Sequence, residues 1–222
     1  MLWIIGIVLS PSFLAFGRDK ARVEIGFKGG TFWAVGSRSG NMNADPCIRG
    51  LWSGGGGATI TLPIGRAVAV QSEVMYLKKK IELFPPSPGI ALDRFSFGVL
   101  EIPLLLKISP NSVGDRMTVS FYTGGYVGLK LSARVNQTWH DNDDYNGDFD
   151  IVNSTKGADY GLAGGFELAR RCGKGKVTLD IRYDLGLVNI RPKSLTYLQG
   201  FPVWVQNIRG LGIMLGYRFE IR

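Results

Sequence analysis

Apolar and polar residues alternate along most of the chain, most clearly in the segment KVTLDIRYDLGLVNI at 176–190. Its odd-numbered positions from Val177 to Leu187 are apolar, and its even-numbered positions from Thr178 to Gly186 are polar or glycine. Such alternation predicts a β-strand with two different faces, because successive side chains of a strand point to opposite sides. The run exceeds the roughly 5–6 residues of an ordinary strand and reaches the roughly 9–11 that cross a bilayer.

Seven further segments alternate in the same way and make eight predicted strands in all. They are 22–33, 54–62, 67–84, 94–108, 118–135, 159–169 and 207–221. The connections 34–52, 85–93, 136–156 and 191–205 are long and polar or rich in Gly and Pro, and the connections between them are short. Connections that alternate between long and short predict an all-β, eight-stranded antiparallel up-and-down barrel, with the short turns at one rim and the long loops at the other.

The solvent on the apolar face decides what kind of barrel this is. Glycines concentrate on the polar face, including Gly124, Gly128, Gly161 and Gly165, and the interior of an eight-stranded barrel is its crowded side. Aromatic residues of the apolar face lie near the strand ends, as in the interfacial girdles of membrane barrels. The pattern favours a transmembrane barrel in an outer membrane; the alternative is a soluble, lipocalin-like carrier of a small ligand.

If the polar face is inside, the lumen holds charges of both signs. Buried charges must be paired and hydrogen-bonded, so we predict a lumen charge network that closes the barrel, with a narrow ion or proton path as the alternative. Its predicted members are Glu24, Lys28, Glu73, Glu101, Lys107, Lys130, Glu167, Asp180, Arg182, Asp184 and Arg218.

Composition narrows the class further. The 222 residues include 31 glycines and carry a formal charge of +8, but no zinc-knuckle spacing, RNA-binding aromatic signature or basic helix accompanies that charge, which argues against nucleic acid. The apolar start 1–16 and the small residues before Arg18 predict a signal peptide at 1–17 and a single barrel domain at 18–222; a buried N-terminal helix is the alternative. Cys47 and Cys172 fall at opposite rims and are predicted to be free thiols.

Three features could carry chemistry. His140 is the single histidine, but the sequence shows no serine that must lie beside its imidazole. No catalytic residue is therefore assigned, and a solvated loop histidine is favoured over the active site of a lipid A-modifying enzyme. Asp144, Asn146, Asp148 and Asp150 approach the spacing of a calcium loop without its usual first and last acids, which makes calcium a weak candidate.

Lys78 and Lys80 are the third feature. They face outward at the end of the third strand, where they could bind lipopolysaccharide phosphates or merely end the apolar band as a solvated charge run. No cofactor is expected from any of the three.

Several segments together resemble the PorT-type outer-membrane β-barrel domain family. They are 71–76 (QSEVMY), 100–107 (LEIPLLLK), 122–128 (YTGGYVG), 180–190 (DIRYDLGLVNI) and 216–219 (GYRF). The resemblance implies a small barrel similar to OmpA and OmpX, inserted by the barrel-assembly machinery. The chain end at Gly216, Phe219 and Ile221 is similar to the insertion signal of that class, although Glu220-Ile221-Arg222 departs from a terminal phenylalanine.

The combined reading is a monomeric outer-membrane barrel in contact with lipid and lipopolysaccharide. We expect its functional surface to lie in the long loops. Its expected role is structural or adhesive, or that of a membrane component in an export system with a secretion partner, rather than that of an enzyme.

Overall fold

The computed structural model describes residues 22–38, 47–65, 67–84, 92–110, 117–138, 147–152, 157–188 and 205–221. These residues form nine antiparallel strands, and none of the described helices is long and apolar enough to cross a membrane. The strands are β1 Val23–Arg38, β2 Cys47–Pro63, β3 Val68–Phe84, β4 Leu92–Ile108, β5 Met117–Thr138, β6 Gly147–Asp150, β7 Ala158–Cys172, β8 Gly175–Gly186 and β9 Val205–Ile221.

Eight of the strands close into a barrel. The hydrogen-bonded order is β4-β3-β2-β1-β9-β8-β7-β5, and a further pairing of β4 with β5 joins the two ends. Every long strand therefore pairs with its neighbours in the chain, and β9 pairs with β1. This confirms the predicted eight-stranded up-and-down barrel. The short strand β6 lies outside the ring and pairs with β5 over Arg134–Gln137.

The barrel wall has its apolar face outside and its polar face inside. In β8 the side chains of Val177, Leu179 and Tyr183 are exposed, whereas Arg182 and Asp184 are fully buried. The same inversion recurs around the ring, and Leu215 of β9 is 64% exposed. Large apolar side chains exposed on every face are the reverse of a soluble protein core and are typical of a wall that meets hydrocarbon. This excludes the soluble carrier with an apolar lumen.

Several strands are longer than the sequence predicted. Within the connection predicted at 34–52, β1 continues to Arg38 and β2 begins at Cys47, because Trp33 and Ala34 pair with Trp52 and Leu51. The eighth strand instead ends at Gly186, not at Ile190. The connections at 85–91 and 109–116 are nearly equal in length, as they already are between the predicted strands, so the predicted contrast between long and short connections is wrong at that point.

The lumen is charged only over part of its length. Towards the long connections it is filled by an apolar cluster, which corrects the prediction of a lumen filled by charges throughout. The cluster consists of buried side chains from β1, β3, β4, β5 and β9. Its members are Phe32, Ala34, Met75, Leu77, Ile81, Leu83, Phe95, Phe97, Val99, Ala133, Val135, Ile208 and Met214.

Glycine and tyrosine share the crowded inner face. A Cβ atom at Gly165 would lie 2.7 Å from the hydroxyl of Tyr122, and one at Gly161 would lie 2.7 Å from the ring of Tyr126. Both tyrosines are buried, and each ring therefore covers a position that only glycine can occupy. The glycines on the polar face make room for the large inward side chains that fill this narrow barrel.

The two cysteines belong to opposite rims. Cys47 begins β2, where its backbone pairs with Phe84 at the end of β3. Cys172 ends β7 beside the tight turn to β8 and is an exposed free thiol. The length of a whole strand separates the two positions, far more than the Cα separation of about 4.4–6.8 Å that a disulfide requires.

Candidate functional site

Arg182 lies at the centre of the charged part of the lumen. The alternation of β8 turns it inward, and it is completely buried. Its Nε donates to Asp184 Oδ1 at 2.5 Å, its Nη1 to Glu73 Oε2 at 3.0 Å and its Nη2 to Glu101 Oε2 at 3.2 Å. All three guanidinium nitrogens thus bind carboxylates, which is the geometry that makes a buried arginine tolerable.

Lys28 of β1 binds the next pair of acids. Its Nζ lies 2.6 Å from Glu73 Oε1 and 3.0 Å from Asp180 Oδ2. The other oxygen of Asp180 accepts a hydrogen bond of 2.6 Å from the Tyr122 hydroxyl, and Gln71 donates to Glu73 at 2.6 Å. Glu73 consequently joins Lys28 to Arg182, so the side chains of β1, β3 and β8 are held in one hydrogen-bonded group.

Two central residues were not among the predicted members. Lys79 Nζ lies 2.5 Å from Glu101 Oε1 and 3.7 Å from Asp159 Oδ2, and it stands 5.3 Å from the centre of the Tyr126 ring. The sequence held a signal for Lys79, since period two turns it inward between the outward Lys78 and Lys80. Asp159 is the second residue of β7, where the start of the strand obscures the alternation.

These residues form the central charge cluster. It contains three cations and five carboxylates. Its members are Lys28, Lys79, Arg182, Glu73, Glu101, Asp159, Asp180 and Asp184.

A second group lies nearer the short turns. Lys107 Nζ binds Glu167 Oε1 at 2.8 Å, and Arg218 binds the same oxygen. Arg218 Nη1 also lies 3.2 Å from Glu24 Oε2, and Lys176 Nζ lies 2.5 Å from Glu24 Oε1. The remaining predicted member, Lys130, is half-buried beside a bulge in β5, at the level where the lumen becomes apolar.

The arrangement suits a plug better than a reaction centre. Acidic and basic side chains from four or more strands form ion pairs with one another. The apolar cluster fills the lumen between them and the long connections. Small barrels are normally filled by their own side chains. Within the described ranges no group of three or more potential ligands could hold a metal ion.

The calcium and histidine predictions concern the β5–β7 connection. His140, Asp144 and Asn146 lie outside the described residues. Asp148 and Asp150 are exposed and belong to β6, and Asp150 Oδ1 accepts a hydrogen bond from the backbone of Val152 at 2.9 Å. Asp148 and Asp150 are the two of the four candidate ligands that lie within the described residues, so the calcium site stays a prediction.

Basic residues face outward beyond the apolar band on the long-loop side. Lys78 is exposed and Lys80 is partly exposed. Lys80 of β3 pairs with Ser96 on the neighbouring strand β4, and Ser96 pairs with the exposed Arg134 of β5. Neighbouring strands lie about 4.8 Å apart, so the outward cations of β3 and β5 stand near one another at the same height.

The closed ring, the apolar outer wall and the charged lumen define a transmembrane β-barrel of an outer membrane. The chain belongs to the outer membrane protein beta-barrel domain family, whose model matches residues 14–191. Comparison with curated proteins gives no match.

Three similar solved structures are distant from this chain in sequence. The outer membrane protein OprG from Pseudomonas aeruginosa is 12% identical, with a TM-score of 0.47, and the match covers 90% of this chain and 98% of that one. Neisserial surface protein A is 13% identical, with a TM-score of 0.46 and coverage of 89% and 97%. The attachment invasion locus protein Ail of Yersinia pestis is 12% identical, with a TM-score of 0.40 and coverage of 88% and 98%.

Proposed function

We propose that this protein is a non-conducting, non-enzymatic outer-membrane barrel that presents its long connections at the cell surface. Its role is structural or adhesive, or that of a membrane component of an export system. The observation that carries the proposal is the filled lumen, in which Arg182 and Phe32 are both wholly buried. Because the lumen is filled from its centre to the long connections, the proposed structural, adhesive or export role falls to the outer wall and the connections.

Conductance tests the closed lumen directly. The purified protein is inserted into planar lipid bilayers, and single-channel current is recorded at neutral pH in 1 M salt. We expect no discrete openings. The double variant Phe95→Ala/Phe97→Ala removes two buried rings of the apolar cluster. Its current is compared with that of the unaltered protein to measure how far the apolar cluster closes the lumen. Resolved steps of current from the unaltered protein would contradict the proposal.

Adhesion is tested on cells. Residues 139–146 are replaced by a Gly-Ser linker of equal length, and attachment to a protein-coated surface is compared with that of cells carrying the unaltered chain. We expect reduced attachment with unchanged barrel assembly, seen as heat-modifiable gel mobility. Unchanged attachment together with impaired release of secreted proteins would favour the export role.

Lys78 and Lys80 are proposed to bind the phosphates of lipopolysaccharide. Their outward position above the apolar band supports this, since clustered basic residues attract anionic lipid headgroups. Lys78→Glu/Lys80→Glu is expected to raise the detergent sensitivity of cells. Lys174→Glu, at the exposed β7–β8 turn on the other rim, is the matched control, and equal effects from both changes would contradict the lipid contact.

The remaining proposals concern biogenesis and ancestry. A PorT-type affiliation, insertion by the barrel-assembly machinery, a monomeric state and cleavage after residue 17 are proposed together. Sequencing of the mature N-terminus is expected to begin at Arg18.

Lipid A from cells with the unaltered chain and with His140→Ala is expected to have the same mass spectrum, and a difference would favour an enzyme.

A further inference from the structure

The lumen opens into a cavity at the short-turn rim. It has a volume of about 410 Å³, and all eight strands of the barrel contribute residues to its walls. Thr61, Lys107 and Ser120 line the cavity, together with Glu24, Lys176 and Arg218 of the adjacent strands β1, β8 and β9. In outer-membrane barrels the short turns face the periplasm, so this mouth is open to periplasmic solutes.

Positive charge exceeds negative charge around this mouth. Lys107 and Arg218 share Glu167, and Arg218 and Lys176 share Glu24. Glu220 is surrounded in turn by Lys176, Arg22 and Arg171, at 3.5, 3.0 and 3.5 Å. Among the described residues of this rim, five paired cations thus share three carboxylates, an excess of two positive charges.

The cations also keep unused binding capacity. Arg218 is 5% exposed, and its Nε atom is buried with no hydrogen-bond partner in the described part of the chain. The hydroxyls of Ser109 and Ser120, 2.8 Å apart, supply further donors in the same wall. A set of arginine, lysine and hydroxyl donors is the chemistry that binds phosphate and carboxylate groups.

The rest of the lumen makes the mouth a blind pocket. The central charge cluster above it has five carboxylates for three cations, and the apolar cluster lies beyond that. An anion that enters from the short-turn rim meets positive walls first and an acidic floor behind them. The mouth can therefore hold an anion without passing it onward.

We propose that the short-turn mouth is a binding site for a small polyanion that carries phosphate or carboxylate groups. The cavity equals the liquid volume of about 14 waters, at about 30 Å³ each, which suits a ligand of about a dozen non-hydrogen atoms. It also falls at the lower end of the range of about 300–1,000 Å³ for small-molecule pockets. This site is separate from the loop surface proposed above.

Calorimetry on the full chain in zwitterionic detergent tests the site. Pyrophosphate and citrate are titrated separately at low ionic strength, which distinguishes phosphate from carboxylate ligands. We expect one site for at least one of the two, with affinity that falls as salt is added. Lys176→Gln is expected to weaken binding about tenfold, because it removes one charge from the wall.

Two further variants complete the test. Lys174→Gln removes the same charge from the exposed turn of the same hairpin, outside the cavity wall, and is expected to bind like the unaltered protein. Ala67→Trp fills the rim of the cavity without changing charge and is expected to abolish binding, with folding checked by heat-modifiable gel mobility. Absence of binding by the unaltered protein, equal weakening by Lys174→Gln and Lys176→Gln, or unchanged binding by Ala67→Trp would each overturn the proposal.

Discussion

Arg182 connects acids from three strands of the barrel. It binds Glu73 of β3, Glu101 of β4 and Asp184 of β8 at 2.5–3.2 Å, and all four residues are buried. A buried ion pair adds little stability compared with a well-packed apolar core, but removal of one partner leaves the others unpaired at high cost. The energetic consequence of this residue is therefore seen when it is removed.

Replacement of Arg182 by Met is expected to lower the free energy of unfolding by about 3–5 kcal/mol, because three carboxylates lose their shared cation. Urea titration of the protein in detergent, followed by tryptophan fluorescence, measures the change. Arg182→Lys should recover only part of the loss, since an ammonium cannot reproduce the planar fork of a guanidinium. Arg170→Met, an exposed arginine on β7, is the control; a loss as large as that of Arg182→Met would contradict the argument.

Gly165 gives a second test at the scale of one residue. An added Cβ would lie 2.2 Å from the carbonyl oxygen of Ile181 and 2.7 Å from the hydroxyl of Tyr122. Gly165→Ala is therefore expected to destabilise the barrel by about 1–3 kcal/mol through overpacking. At the adjacent Gly164 the nearest atom would be an ordinary 3.5 Å away, so Gly164→Ala should change stability little. Equal urea midpoints for the two variants would show that the inner face is not crowded at Gly165.

The strands show which parts of the fold the alternation pattern predicts. Followed from Glu101 towards the start of β4 in steps of two, the alternation places Val99, Phe97 and Phe95 in the lumen, and all three are buried there. In β5, an unbroken alternation from the exposed Leu129 would turn Val135 outward, yet Val135 is buried. A single extra residue reverses the faces of a strand, and no turn residue in the sequence announces it.

Leu131 is that extra residue. Ser132 pairs with Gly98 and Lys130 pairs with Val99, which leaves Leu131 without a partner in β4. Deletion of Leu131 should consequently preserve the pairing on both sides and yield a barrel with normal heat-modifiable mobility. Deletion of Val127, which pairs with Ile102 and Tyr160, should prevent assembly because it turns one half of β5 inside out. Assembly of both deletion variants, or of neither, would contradict the assignment of the bulge.

At the scale of the whole molecule, charge varies along the barrel axis. The short-turn mouth has an excess of cations, the centre has an excess of carboxylates, and the upper lumen is apolar. Alternation predicted which residues of β8 point inward, but it could not predict these layers, since they depend on the register between strands that are distant in sequence. Lys28 and Asp180, for example, meet only because β1 and β8 both pair with β9.

The position of the membrane is the last consequence of the fold. On β4 the outward apolar residues run from Leu100 to Ile108, with Leu104 at their centre and 51% exposed. Leu104→Arg is expected to lower the free energy of unfolding in lipid vesicles by about 2–4 kcal/mol, because an arginine at the midplane of the bilayer is costly. Leu100→Arg, near the boundary, should lower it by about 0–1 kcal/mol. A soluble barrel would tolerate arginine at either exposed position. Equal folding free energies for the two variants, measured by urea titration in vesicles, would therefore contradict the contact between the outer wall and hydrocarbon.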